Sequence, residues 1–303
     1  MQIQGYDKPL YILPFDHRAV FAKELFGYSS IKELNELERH QIKEFKMLIY
    51  KGFKKALEKG IPTEYAAILC DEEFGQEVLI DARQNGFLTI LTTEKSGEDE
   101  FKFQYPDSFE DHIQSMHPNF IKVLIRYNPL DDEEKKDFQK RNLKIISDYS
   151  KNNGFKFLLE LLVIPTKNQL STLGSKEEFD NKLRPSLTIE VIKDLYDFGI
   201  EPDVWKLEGF EKEISYEQIL NTIKEGKREK VGLVILGRGE DEQKVGEWLK
   251  TGSKINGVIG FAVGRTVFWN SIEKFYKQEI GKAQVINEVA DNFFHFYKLF
   301  TQK

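Results

Sequence analysis

Lys206 lies inside the apolar stretch Asp203-Val204-Trp205-Lys206-Leu207-Glu208-Gly209, where a strand would ordinarily carry another core residue. Side chains alternate faces along a strand, so Val204, Lys206 and Glu208 share one side while Trp205 and Leu207 share the other. An amine and a carboxylate on one inward face are costly to bury unless they are compensated or do chemistry. Crowding by other cations and partial desolvation lower a lysine pKa, leaving free amine to attack a carbonyl. The protonated Schiff base that results is an electron sink, and the adjacent C–C bond can break to an enamine if a neighbouring group takes the proton of the departing hydroxyl. Glu160, held inside an apolar run, is the first candidate for that group and Asp16 the second. The plainer account of Lys206 is a buried ion pair with Glu208 or Glu160. Lys122 ranks below it as a nucleophile and is also explained as an ion-pair partner that lowers the pKa of the neighbouring amine.

A second constellation suits a phosphate. Gly237-Arg238-Gly239 and Gly264-Arg265 each close an apolar run; glycine permits close backbone approach and arginine supplies a bidentate clamp. The ends of other runs add Arg18, Asp71 and Arg126. The histidines, His17, His40, His112, His117 and His295, show no metal-ligand spacing, and Glu72-Glu73 beside Asp71 is a weak hint of a hard cation. No metal site and no cofactor are assigned. A metal-dependent isomerase or aldolase is the alternative that sensitivity to a chelator would reveal.

These residues need strands to position them, and the chain offers eight. Apolar runs at residues 10–18, 66–71, 87–93, 120–128, 155–163, 203–209, 231–236 and 255–263 read as buried parallel strands. Helical spacing recurs between most of them. One long helix is expected over residues 30–60, with Ser30 as its N-cap and a bend at Gly52; residues 94–115 read as a long loop with partial helix, and residues 165–185, without a clear period, as an irregular segment covering the mouth of a pocket. The alternation favours an α/β fold in which the eight units close into one (β/α)8 barrel, with residues 1–303 as a single domain. An aromatic C-terminal helix bearing Val285, Ile286, Val289, Phe293, Phe296, Tyr297 and Phe300 would pack outside. In such a barrel the charged strand ends converge on one mouth, and strands seven and eight carry the phosphate site.

The net charge of -6 and a pI near 5.6 argue against nucleic acid or an acidic membrane as partner, while leaving room for a local anion site. The single cysteine, Cys70, excludes an intrachain disulfide and fits a reducing cytoplasm. The start of the sequence reads as lacking a leader, and no apolar run approaches a bilayer span. Homo-oligomerisation is left open.

Taken in order, Phe15-Asp16-His17-Arg18, Asp71-Glu72-Glu73-Phe74-Gly75, Ile121-Lys122-Val123-Leu124, Leu159-Glu160, the Lys206 stretch and Gly264-Arg265 resemble the class I tagatose-bisphosphate aldolase family. Through Arg184-Pro185, the Lys206 stretch and residues 260–269, the chain is more similar to the aldolase-like domain fused to 5-dehydro-2-deoxygluconokinase in bacterial myo-inositol catabolism. The resemblance spans nearly the whole chain and includes no sugar-kinase half. It implies a TIM barrel in which Lys206 forms the Schiff base, Glu160 shuttles protons, Asp16 and Lys122 position substrate, and Arg265 with glycine backbone binds phosphate. The implied reaction cleaves a ketose phosphate, either 6-phospho-5-dehydro-2-deoxygluconate or a tagatose-bisphosphate-like sugar, to dihydroxyacetone phosphate and an aldehyde. His17, Asn128 and Gly209 depart from the tagatose pattern. A non-catalytic barrel that binds a sugar phosphate and regulates or scaffolds carbohydrate catabolism is the alternative from another class.

Overall fold

The computed structural model describes residues 4–302. In chain order the elements are β1 (Leu10–Pro14), α1 (Arg18–Phe26), α2 (Glu36–Leu57), β2 (Ala66–Cys70), α3 (Glu72–Gln84), β3 (Leu88–Thr92), α4 (Phe109–Met116), β4 (Phe120–Tyr127), α5 (Glu133–Asn153), β5 (Lys156–Val163), α6 (Lys167–Leu173), α7 (Lys176–Lys182), α8 (Arg184–Asp197), β6 (Val204–Glu208), α9 (Glu213–Ile223), β7 (Gly232–Leu236), α10 (Glu242–Gly252), β8 (Val258–Ala262), α11 (Arg265–Tyr276) and α12 (Lys282–Thr301). All neighbouring strands pair in parallel, and β8 returns to β1, so the sheet closes as the (β/α)8 barrel expected.

Two apolar populations hold the barrel. Leu10, Ile12, Ala67, Leu69, Ile90, Phe120, Leu158, Val204 and Val234 fill its interior. Outward residues such as Ile121, Val123, Ile125, Trp205 and Leu207 pack under the helices. Period-two alternation then sets the layer above the interior plug: Phe120 is succeeded on the same face by Lys122, Leu158 by Glu160 and Val204 by Lys206. Register reinforces this, since Leu124 lies opposite Glu160 and Glu160 opposite Lys206 across β4, β5 and β6.

The C-terminal helix packs outside, as expected. Its Phe293 ring lies 5.7 Å from Phe261 on β8, and Tyr297 meets Tyr11 on β1 edge-on at 5.0 Å. Gly52 is its seat on α2 rather than a bend: a Cβ there would come within 2.5 Å of Val289, and α2 runs through without interruption. Ser30 caps only a 3-10 turn, while α2 begins at Asn35 through a reciprocal capping box with Glu38. Residues 165–185 are not irregular; Thr166 and Ser175 cap α6 and α7. Helices of seven residues span too few turns to display an apolar repeat. No helix among the described residues is long and apolar enough to cross a membrane.

Candidate active site

β4, β5 and β6 raise Lys122, Glu160 and Lys206 on adjacent strands, and the turn after β1 brings Asp16 across to meet them. Lys206 Nζ donates to Glu160 Oε2 at 2.8 Å, and Lys122 Nζ lies 3.0 Å from the same oxygen. Lys122 also donates to Asp16 Oδ2 at 2.9 Å and to Glu94 Oε1 at 2.5 Å. One carboxylate oxygen therefore bridges two buried amines, and one amine gathers three carboxylates.

Burial alone would lower the Lys122 pKa, but Asp16, Glu160 and Glu94 together outweigh it and hold the amine charged, well above the ordinary lysine range. Burial would likewise raise Glu160, yet Lys122 and Lys206 hold it below the usual carboxylate value. Asp16 obeys the same rule: Lys122, and then His17 and Lys206, overcome desolvation and keep it far below normal. His17, 3.9 Å from Asp16, is brought down to about 4 by burial, with Lys206 and Arg265 pushing the same way against Asp16. Its imidazole is neutral at neutral pH.

These shifts make stability depend on pH. Asp16 and Glu160 bind fewer protons folded than unfolded near pH 4, so their contribution is complete above that range and is lost as pH falls through it. His17 adds a second window, because an imidazole lowered from 6.5 to about 4 makes stability fall as pH drops across that interval. Urea midpoints measured from pH 3 to 7 are expected to rise with pH, and Asp16→Asn is expected to flatten the acid end of that slope.

Two adjoining lobes, each with about 770 Å³ of empty space that opens to solvent, meet at this cluster and share His17, Val20, Leu124, Arg126, Glu160 and Lys206 as their common wall. The first lobe extends over Asp16, Arg18, Glu94, Lys122 and the 95–101 segment. The second is lined by Gly237, Arg238, Gly239, Gly264, Arg265 and Thr266. Gly239 adopts φ +77° and leaves the space the Arg265 guanidinium occupies, since a Cβ there would lie 1.7 Å from Nη2. Arg265 opens α11, its nearest carboxylate is Glu24 at 3.8 Å, and it is a third exposed. The Arg265 guanidinium donates weakly to the Arg238 carbonyl at 3.4 Å and has no close carboxylate, and its place at a helix N-terminus beside glycine backbone is well suited to an anion.

Several sequence candidates sit elsewhere or are already engaged. Asp71 lines neither lobe: its side chain caps α3 through the Phe74 N–H and pairs with buried Lys46. Glu208 also lines neither lobe and does not touch Lys206; it lies 2.7 Å from Arg238 Nε and accepts from Val163 N–H. Burial raises its pKa against the pull of Arg184 and Arg238. Arg238 is at the wall, but Glu208 and Asp180 (2.7 Å) hold its guanidinium, so it is no free phosphate clamp. Arg18 lines the first lobe while donating to the Glu94 carbonyl at 2.5 Å and to Gln104 at 3.1 Å. Arg126 borders both lobes, donating to the Glu98 carbonyl at 3.2 Å.

Sequence reasoning missed Glu94 and Asp180. Glu94 ends the β3 run as Asp16 ends β1, and that shared pattern was its available signal. Of the departures from the tagatose pattern, Asn128 is buried, tying the β4 and β5 exits together through Ile164 and Gln169. Gly209 has no room for a side chain, because a Cβ would stand 2.2 Å from the Trp248 ring.

Solved structures share this architecture at low identity. The Cgl0159 protein of Corynebacterium glutamicum is 16% identical with TM-score 0.55, the match covering 96% of this chain and 88% of that one. An archaeal fructose 1,6-bisphosphate aldolase is 11% identical with TM-score 0.56, covering 97% and 96%. The fructose-bisphosphate aldolase of Slackia heliotrinireducens is 12% identical with TM-score 0.54, covering 93% and 85%. At these identities the likeness is one of fold. No curated protein matches the sequence. The family profile described as "Uncharacterized protein conserved in bacteria (DUF2090)" matches residues 3–303, and the chain belongs to that family.

Proposed function

We propose that the chain is a Schiff-base aldolase acting on a ketose phosphate. The observation that carries this reading is the 2.8 Å contact of Lys206 Nζ with Glu160 Oε2 on the wall common to both lobes. Fold likeness to two fructose-bisphosphate aldolases supports it. The Lys206 amine attacks the ketose carbonyl, and loss of water leaves an iminium. The C–C bond next to the iminium carbon's neighbour then breaks, its electron pair forming the enamine, while the hydroxyl proton passes to the Glu160 carboxylate and an aldehyde departs. Glu160 returns a proton to the enamine carbon, and water hydrolyses the iminium to free amine and dihydroxyacetone phosphate. Asp16 and Lys122 orient the hydroxyls of the substrate. Glu160, held ionised by two lysines, is in the acceptor state this requires.

The phosphate occupies the second lobe against Arg265 and the backbone of Gly237 and Gly264. Arg265→Ala is expected to raise KM for the phosphorylated ketose about 10- to 100-fold, the magnitude of one charge-assisted contact, with little effect on kcat. A KM unchanged by the substitution would move the phosphate elsewhere. On the sequence likeness, 6-phospho-5-dehydro-2-deoxygluconate is the first substrate to assay, with malonic semialdehyde as the second product, and tagatose 1,6-bisphosphate is the next. The expected result is chelator-insensitive release of dihydroxyacetone phosphate from one of them. Thermal stabilisation by both sugars without turnover would instead favour a binding barrel, and loss of activity to chelator a metal enzyme.

A further inference from the structure

Lys46 on α2 and Asp71 at the end of β2 form a fully buried ion pair outside both lobes. The Lys46 amine also donates to the Phe15 carbonyl at 2.6 Å. That carbonyl belongs to the peptide leading into Asp16, and the preceding peptide is held from the other side, Phe15 N–H donating to the Leu69 carbonyl at 2.8 Å. Asp71 is fixed in turn by the Phe74 N–H at 2.8 Å, so the whole unit is anchored to the first turn of α3. Burying a lysine and an aspartate is not an efficient source of stability, since a well-packed apolar pair serves as well or better. What an apolar pair could not supply is the donor to Phe15.

We infer that the buried Lys46–Asp71 pair is a positioning device for Asp16, locking the backbone from which that carboxylate reaches Lys122. The kinetic part of this inference rests on the aldolase reading; the geometric part does not. Two neutral double variants separate positioning from bulk stability. Lys46→Met/Asp71→Asn removes both charges, keeps an acceptor for the Phe74 N–H and deletes the donor to Phe15. Lys46→Gln/Asp71→Asn is of similar size and retains an N–H donor.

In a crystal structure of the Met variant, the 2.9 Å contact between Asp16 and Lys122 is expected to open beyond hydrogen-bond range, and the Gln variant to restore it. The kcat of the Met variant is expected to fall about 10- to 100-fold with KM nearly unchanged and borohydride trapping retained, as a displacement near 1 Å would produce. In an Asp16→Asn background the same change should cost almost nothing further, because both act through one carboxylate. An unchanged contact, or a full additional loss in that background, overturns the inference. If the doubles do not fold, Lys46→Met alone, which deletes the same donor to Phe15, is read the same way, with an unchanged kcat as the contrary result. If the wild-type protein neither traps substrate nor cleaves it, the aldolase reading fails, and the crystallographic contact still decides the positioning claim.

Discussion

Lys206→Met is expected to reduce turnover on the order of 10⁴-fold or more, since in the proposed mechanism it deletes the nucleophile and not merely an orienting group. The fold should survive. Glu160, the only acidic partner of Lys206 among the described residues, keeps Lys122 at 3.0 Å, so no carboxylate is left without a cation. Residue 206 shares the barrel's inner face with Val204 and a lobe wall with Leu124, where an apolar stem is already accommodated. The checks are kcat from a coupled assay of dihydroxyacetone phosphate and a urea midpoint close to wild type. A folded variant with wild-type turnover would assign the chemistry to another residue, Lys122 first.

Lys122→Met is expected to have the largest effect on stability, about 3–5 kcal/mol at pH 7, the usual cost of removing one member of a buried charge cluster. Asp16 and Glu94 lose their close cation, while Glu160 keeps Lys206. Burial then pushes the Asp16 carboxyl upward with its largest opposing charge gone. A raised carboxyl pKa gives stability that falls as pH rises, so the deficit relative to wild type should shrink from pH 7 to pH 5. Adding Glu94→Gln should recover part of it. Urea denaturation of the three proteins at both pH values measures this, and a deficit that grows toward pH 5 would contradict the charge account.

Much of this was legible in the sequence because buried parallel strands are continuous apolar runs, and a charge within one announces itself. Lys122, Glu160 and Lys206 converge because each lies two residues beyond an inward apolar residue on three successive strands. Glu208 misled for the same reason: alternation puts it on the Lys206 face, but a strand end can be captured by a neighbouring loop, here through Arg238. The partner that completes that capture, Asp180, is 58 residues away on a seven-residue helix with no visible period. Asp71 was misplaced because α3 begins at once, and a residue directly before a helix turns to cap it. The short α1 and the helix α11 that succeeds Gly264 were not anticipated, and it is α11 that sets Arg265 at the second lobe.

The central claim is that Lys206 forms a covalent imine. Sodium borohydride added to the protein with dihydroxyacetone phosphate should fix that imine as a stable secondary amine, visible as one adduct by intact mass and carried by the peptide containing Lys206. Lys206→Met under the same conditions should remain unmodified. An unmodified wild-type protein, or an adduct that persists in Lys206→Met, would contradict the claim.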